Sequence, residues 1–189
     1  MRLTALFLAA LGLLPLAGAA PGDERPRPNI LFFLTDDQRF DFLGCAGHPL
    51  LQTPTIDGLA EAGLRFSDMT VSTSTCWISR ASIFTGLYMR THRYRTAGPL
   101  AAKWSSSSYP ALLRQAGYRT AYVGKNHVNF EPGELKKMFD THIFLRRHPY
   151  FKKQSDGSLR HLSEITGDHA IAFLSEQDAA QPFCLSVSF

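Results

Sequence analysis

The sequence predicts an α/β fold built on a mixed, largely parallel central sheet flanked by helices and incomplete on its C-terminal side. Three observations point there. Asn29 to Leu34 is a short apolar run without alternation, the pattern of a strand covered on both faces, and Pro182 to Phe189 reads as a second buried strand. Between them, apolar stripes at helical spacing alternate with further strand-like runs, which calls for parallel crossovers. The last run stops on an apolar residue, where a strand end at a ligand-binding edge ordinarily opens into a loop, so the expected unit is the N-terminal part of a longer domain.

Composition agrees with an ordinary folded domain. The 189 residues are 44% hydrophobic and 12% aromatic, enough to bury a core. The formal net charge of +4 is small and spread along the chain, which argues against nucleic acid as a partner. Met1-Arg2, the apolar run Leu3 to Leu16 and Ala17-Gly18-Ala19 have the three regions of a secretory signal peptide. The expected organisation is therefore a signal peptide over 1–19 and one partial domain over 20–189. The apolar run is too short to span a membrane comfortably, and no cysteine follows the small residues to be lipidated. An exported protein without a stable membrane anchor, periplasmic or extracellular, is expected. Cys45, Cys76 and Cys184 form an odd set, so at least one thiol is left without a partner within this sequence.

Taken in order, the first apolar run ends abruptly in Asp36-Asp37. Ligands of open α/β sheets bind at the carboxyl ends of strands, and adjacent carboxylates there repel each other unless a cation sits between them. Hard oxygen donors of this kind suit Ca²⁺ or Mg²⁺; the plain alternative is an Asp-Asp turn. After a loop with Gly44, Cys45, Gly47 and His48, the stretch Thr53 to Gly63 reads as a helix. Thr53 or Thr55 would cap it, Pro54 suits its first turn, and Gly63 would stop it. Leu64 to Val71 reads as a strand. A hydroxyl-rich run then delivers Cys76 to the start of a helix that Gly86 can end, with Arg80 one turn later on the same face. Such a helix start favours negative charge in front of it.

Tyr88 to Ser108 reads as loop, Tyr109 to Gly117 as a short helix, and Tyr118 to His127 as a strand whose end carries Lys125 and His127. Two residues apart on extended chain, these side chains would point the same way. Glu131 to Arg160 is expected to be loop-rich and to select substrate. Within it, Leu145 to Lys153 interleaves basic and aromatic residues, which suits either a solvated loop or a surface for an anionic polymer. A helix is expected over Thr166 to Leu174, with Asp168 and His169 belonging to its start rather than to a site.

On spacing alone a lone cysteine reads as a small buried apolar residue. The segment Cys76-x-x-x-Arg80 with Ala81-Ser82-Ile83-Phe84-Thr85-Gly86, however, resembles the signature of the type I, formylglycine-dependent sulfatases of the alkaline phosphatase-like superfamily. The resemblance extends to the paired Asp36-Asp37, to Thr53, Pro54, Asp57, Leu59, Ala60, Gly63 and Phe66, and to Gly124-Lys125-x-His127. It departs at Ile78, where the family usually has Pro or Ala, and at Asn126, Val128 and Asn129.

The resemblance implies a hydrolase of sulfate monoesters, aryl or carbohydrate. Cys76 would be the precursor of formylglycine, made by a formylglycine-generating or equivalent modifying enzyme, and Arg80 would hold the modified residue. Asp36 and Asp37, with residue 76, would bind Ca²⁺ or, alternatively, Mg²⁺. Lys125 would contact the sulfate and His127 would hydrogen-bond residue 76 and move protons. In this family the aldehyde hydrates, one hydroxyl attacks sulfur, and the other later collapses to expel sulfate. A sulfated small molecule or glycan is the expected partner. Two alternatives follow from the same residues: a phosphodiester or phosphonate-ester hydrolase of the superfamily, and a sulfated-glycan binding protein without catalysis.

Overall fold

A computed structural model describes residues 26–95 and 98–189; the expected signal peptide lies outside the described residues. Four strands form one parallel sheet in the order β1-β6-β2-β3. They are β1 (Ile30–Leu34), β2 (Arg119–Gly124), β3 (Thr141–Phe144) and β6 (Phe183–Ser188). A separate antiparallel hairpin joins β4 (Phe151–Lys153) to β5 (Leu159–His161). A 3-10 turn at Gly44–Ala46 and seven α-helices complete the described part: α1 (Pro54–Ala62), α2 (Cys76–Thr85), α3 (Met89–His92), α4 (Ala102–Ser106), α5 (Tyr109–Gln115), α6 (Glu134–Met138) and α7 (Leu162–Ser175).

Register sets where chemistry can happen. Leu34 pairs with Ser188, Ser188 with Gly124, and Gly124 with Phe144, so all four strands end at the same level. Thr35, Phe189, Lys125 and Leu145 therefore leave the sheet side by side, with Asp36 one residue further on. Alternation along β2 divides the core between two faces. Tyr122 points to the layer holding Ala81, Phe84, Phe130, Met138 and Phe139, while Ala121 and Val123 join Leu185, Val187 and the α7 residues Ala170 and Phe173. Each fully buried branched or aromatic side chain contributes about 1.5–3 kcal/mol, so these two clusters hold α2 and α7 on opposite faces.

Several expectations need correction. The run ending in Asp36-Asp37 does form a strand, but β1 stands at one end of the strand order, and Leu31 and Phe33 are 45% and 53% exposed. Only its other face is covered by the described residues, where Phe32 meets the edge of Tyr109. Leu64 to Val71 is not a strand: Leu64, Phe66, Met69 and Val71 are exposed, and Ser67 Oγ donates to Asp68 in a turn. Tyr88 to Ser108 holds the short helices α3 and α4 rather than plain loop. The stretch from Glu131 to Arg160 holds α6, β3 and the hairpin, because Met138 is buried and the pattern at 141–144 alternates. Helix α7 starts four residues earlier than Thr166, since His161 caps it by accepting the Ser163 N–H.

Candidate active site

Cys76 is the first residue of α2, and the Thr75 side chain makes no capping bond, so the N–H groups of the first turn stay open toward the cleft. Gly86 ends the helix in the left-handed region at φ 67°, as its place in the sequence suggests. Cys76 Sγ lies 3.1 Å from His127 Nδ1. His127 is held by the edge of Trp77 at 5.9 Å.

How His127 arrives there differs from the expected strand extension. The strand stops at Gly124, whose φ is 105°, and His127 itself has φ 58°. The chain thus leaves the sheet in a tight turn, closed by the Asn126 side-chain amide donating to Val128 O at 2.7 Å. Both Tyr122 Oη and Arg80 Nη1 donate to the Lys125 carbonyl, at 2.7 and 2.9 Å. Lys125 and His127 converge on one site because of this turn, and extended-chain alternation has no part in it.

Asp36 is the electrostatic centre. Lys125 Nζ is 2.5 Å from its Oδ2, Arg147 Nη1 is 3.6 Å from the same oxygen, and Arg80 Nη2 is 3.8 Å from Oδ1. Burial pushes the Asp36 carboxyl up, but the hydrogen bond and charge of Lys125, with Arg80 and Arg147, outweigh it and hold the group below the usual carboxylate range. Asp37 is exposed and sits at φ 46°. Burial pushes the His127 imidazole below its ordinary value, and the Lys125 and Arg80 charges push it further, against Asp36. Arg80 is buried and threads between the strand ends, donating to Ser188 Oγ and to Phe189 O. Its guanidinium makes its bonds to the sheet edge, while its side chain lines the same cleft as Cys76.

That cleft, of about 290 Å³, is lined by Asp36, Asp37, Cys76, Ser79 and Arg80. The structure thus brings together Asp36, Asp37, Cys76, Arg80, Lys125 and His127. Asp36 and Asp37 are hard oxygen donors, the right type for Ca²⁺ or Mg²⁺, but such an ion takes about six to eight oxygens and the described residues hold no group of three or more acidic, His or Cys side chains able to bind a metal. The donor type fits, and the two carboxylates would supply only part of the oxygens such an ion takes.

Arg147 is the site residue that sequence reasoning passed over. It lies in the basic and aromatic segment 145–153, where a solvated loop was the leading expectation and a surface for an anionic polymer the other. Its side chain instead reaches Asp36 and donates through Nε to Tyr150 Oη at 2.7 Å. The three cysteines are all free, and burial raises the Cys184 thiol to about 11.

A parallel sheet with level strand ends, paired carboxylates after its first strand, three cations gathered on one of them and a helix that begins on a cysteine across the cleft define an α/β protein with its polar groups collected at one sheet edge. The chain belongs to the sulfatase family, whose model matches residues 28–189. It is 34% identical over 190 residues to an N-acetylglucosamine-6-O-sulfatase of Bacteroides thetaiotaomicron, covering 95% of this chain and 33% of that protein. A solved structure described as being in complex with its substrate, D-glucosamine-2-N,6-O-disulfate, is 32% identical with a TM-score of 0.72, over 86% of this chain and 34% of the other. The phosphonate monoester hydrolase of Agrobacterium radiobacter is 25% identical with a TM-score of 0.67, over 86% of this chain and 40% of the other. The chain spans about a third of the length of the curated relative it matches. No helix among the described residues is long and apolar enough to cross a membrane.

Proposed function

We propose that the full-length protein is a sulfuric ester hydrolase acting on carbohydrate sulfates, with residue 76 oxidised from cysteine to formylglycine as its nucleophile. One observation carries this: Cys76 stands at an open helix start, 3.1 Å from His127 Nδ1, in one cleft with Asp36, Asp37 and Arg80. The sulfur of a sulfate monoester is shielded by oxygens, so a site that cleaves it must hold the anion against positive charge and present a strong nucleophile in line with the leaving alcohol.

Each residue has a part consistent with its position. Lys125, 2.5 Å from Asp36, holds the sulfate oxygens beside that carboxylate. His127, neutral at neutral pH because burial lowers it, takes a proton at Nδ1 from residue 76 and returns it during release. Arg80 fixes the strand ends and adds positive potential behind the cleft. Formylglycine, as its hydrate, supplies a hydroxyl nucleophile and a route to expel sulfate. Asp36 and Asp37 would hold a Ca²⁺ ion, with Mg²⁺ the alternative, which supplies polarisation of the sulfate and the nucleophile. The modification requires a formylglycine-generating or equivalent enzyme as partner, and the residues over 1–19 would direct export. The two relatives named for glucosamine sulfates make a sulfated hexosamine the substrate class of choice.

The likeness to a phosphonate monoester hydrolase favours a second reading, since the same cationic cleft suits a phosphonate or phosphodiester anion. A panel of carbohydrate sulfates, aryl sulfates and aryl phosphonate and phosphodiester substrates on the full-length protein separates the two. The sulfatase reading expects kcat/KM at least about a hundredfold higher on the best sulfate; a clear preference for the phosphorus esters would reverse it.

A further inference from the structure

A second cleft, of about 220 Å³, abuts the first, and Asp36 lines both. Its far wall is made by Arg147, Tyr150 and His161, from the segment before β4, the end of β5 and the start of α7. The rings of Tyr150 and His161 are parallel, 3° apart in plane with centroids 6.2 Å apart. They are held firmly: Leu162 N–H donates to Tyr150 O at 2.8 Å, Phe151 pairs with His161 across the hairpin, and Phe151 also meets His161 edge-on at 5.2 Å. His161 Nδ1 accepts the Ser163 N–H, so the proton of the neutral ring is on Nε2, which is a donor.

Arg147 has two polar partners among the described residues. Nε donates to Tyr150 Oη at 2.7 Å, and Nη1 stands 3.6 Å from an Asp36 oxygen that Lys125 already holds at 2.5 Å. With its side chain 46% exposed, the guanidinium offers a planar fork to an anion entering from solvent. Lys125 and Arg80 compensate Asp36 without it. A fixed aromatic wall, a ring N–H donor and a half-exposed guanidinium next to the reacting centre make up a carbohydrate subsite with an anion grip.

Resting on the sulfatase reading above, we propose that this groove seats the sugar on the leaving-alcohol side of the ester and that Arg147 grips a second sulfate group on that sugar. The ligand class is a glycan carrying at least two sulfates close together. Arg147 thereby sets specificity and takes no part in bond breaking.

The test compares, on the full-length protein, a hexosamine carrying one sulfate ester with the same sugar carrying a second sulfate. Arg147→Gln is expected to raise KM for the doubly sulfated sugar about tenfold more than for the singly sulfated one, the worth of one hydrogen bond to a charged group. Arg147→Lys should recover part of that loss. Equal changes for both sugars, or a loss confined to kcat, would overturn the proposal. If the wild-type protein turns over neither sugar, the sulfatase reading falls separately, and calorimetric titration with the two sugars still reads the subsite: tighter binding of the doubly sulfated sugar that Arg147→Gln removes supports it, and equal binding rejects it. If Arg147→Gln does not fold, Arg147→Lys decides: a larger rise in KM for the doubly sulfated sugar than for the singly sulfated one supports the grip, and equal rises reject it.

Discussion

His92 is 4% exposed, with Nδ1 accepting the Tyr94 N–H and Nε2 3.0 Å from Ser82 Oγ. A backbone donor at Nδ1 requires the neutral ring with its proton on Nε2, and burial pushes the imidazole below its ordinary value of 6.5. The unfolded chain therefore takes up this proton at higher pH than the folded one. The stability His92 contributes is complete above about pH 6.5 and is lost as pH falls through the lower folded value. The denaturant midpoint should drop between about pH 7.5 and 5.5, and His92→Gln should flatten that part of the profile; an equally steep profile in the variant would contradict the assignment. Other residues show why single positions resist sequence reading. Ile78, which departs from the family pattern, is buried and lies outside the cleft lining, and Val128 belongs to the core. Asn126 closes a turn. These departures are packing and turn residues, a distinction invisible without coordinates. Arg147 was hidden for the opposite reason: its neighbours look like solvated loop, and only the fold carries it to Asp36.

At the scale of elements, the turn leaving β2 matters most. A Cβ on Gly124 would overlap the Ser188 carbonyl oxygen, and φ of 105° is strained for any other residue. Gly124→Ala should cost more than about 2 kcal/mol in thermal or denaturant unfolding, through strain and separation of β2 from β6. It should also lower activity by displacing Lys125 and His127. Unchanged stability would show that the sheet edge yields more easily than its register suggests. Helices with strong punctuation were legible: Pro54 and Gly63 bracket α1, and Cys76 and Gly86 bracket α2. So was the last strand, read as buried and found as β6 between β1 and β2, with every residue but its first buried. The short elements α3, α4, α6 and β3 were not, because four or five residues carry too little periodicity to separate them from loop. Leu64 to Val71 misled because apolar residues there face outward, with no strand beside them among the described residues.

Across the whole molecule, four parallel strands ending level place residues far apart in sequence at one edge, and that convergence is what a sulfate ester hydrolase needs. The α/β class and the residues of the cleft were legible from strand ends and from the Cys76 segment. Their mutual geometry was not, since the left-handed turn at His127 and the three cations around Asp36 arise from tertiary packing. Everything proposed for the chemistry turns on the identity of the group at position 76. Mass spectrometry of the peptide containing that residue, from full-length protein made in its own exporting host, reads it directly. The expected result is an aldehyde in place of the thiol, which also establishes that the modifying enzyme accepts Ile78. An intact thiol throughout would contradict the nucleophile assignment and leave a protein that binds sulfated glycans without cleaving them.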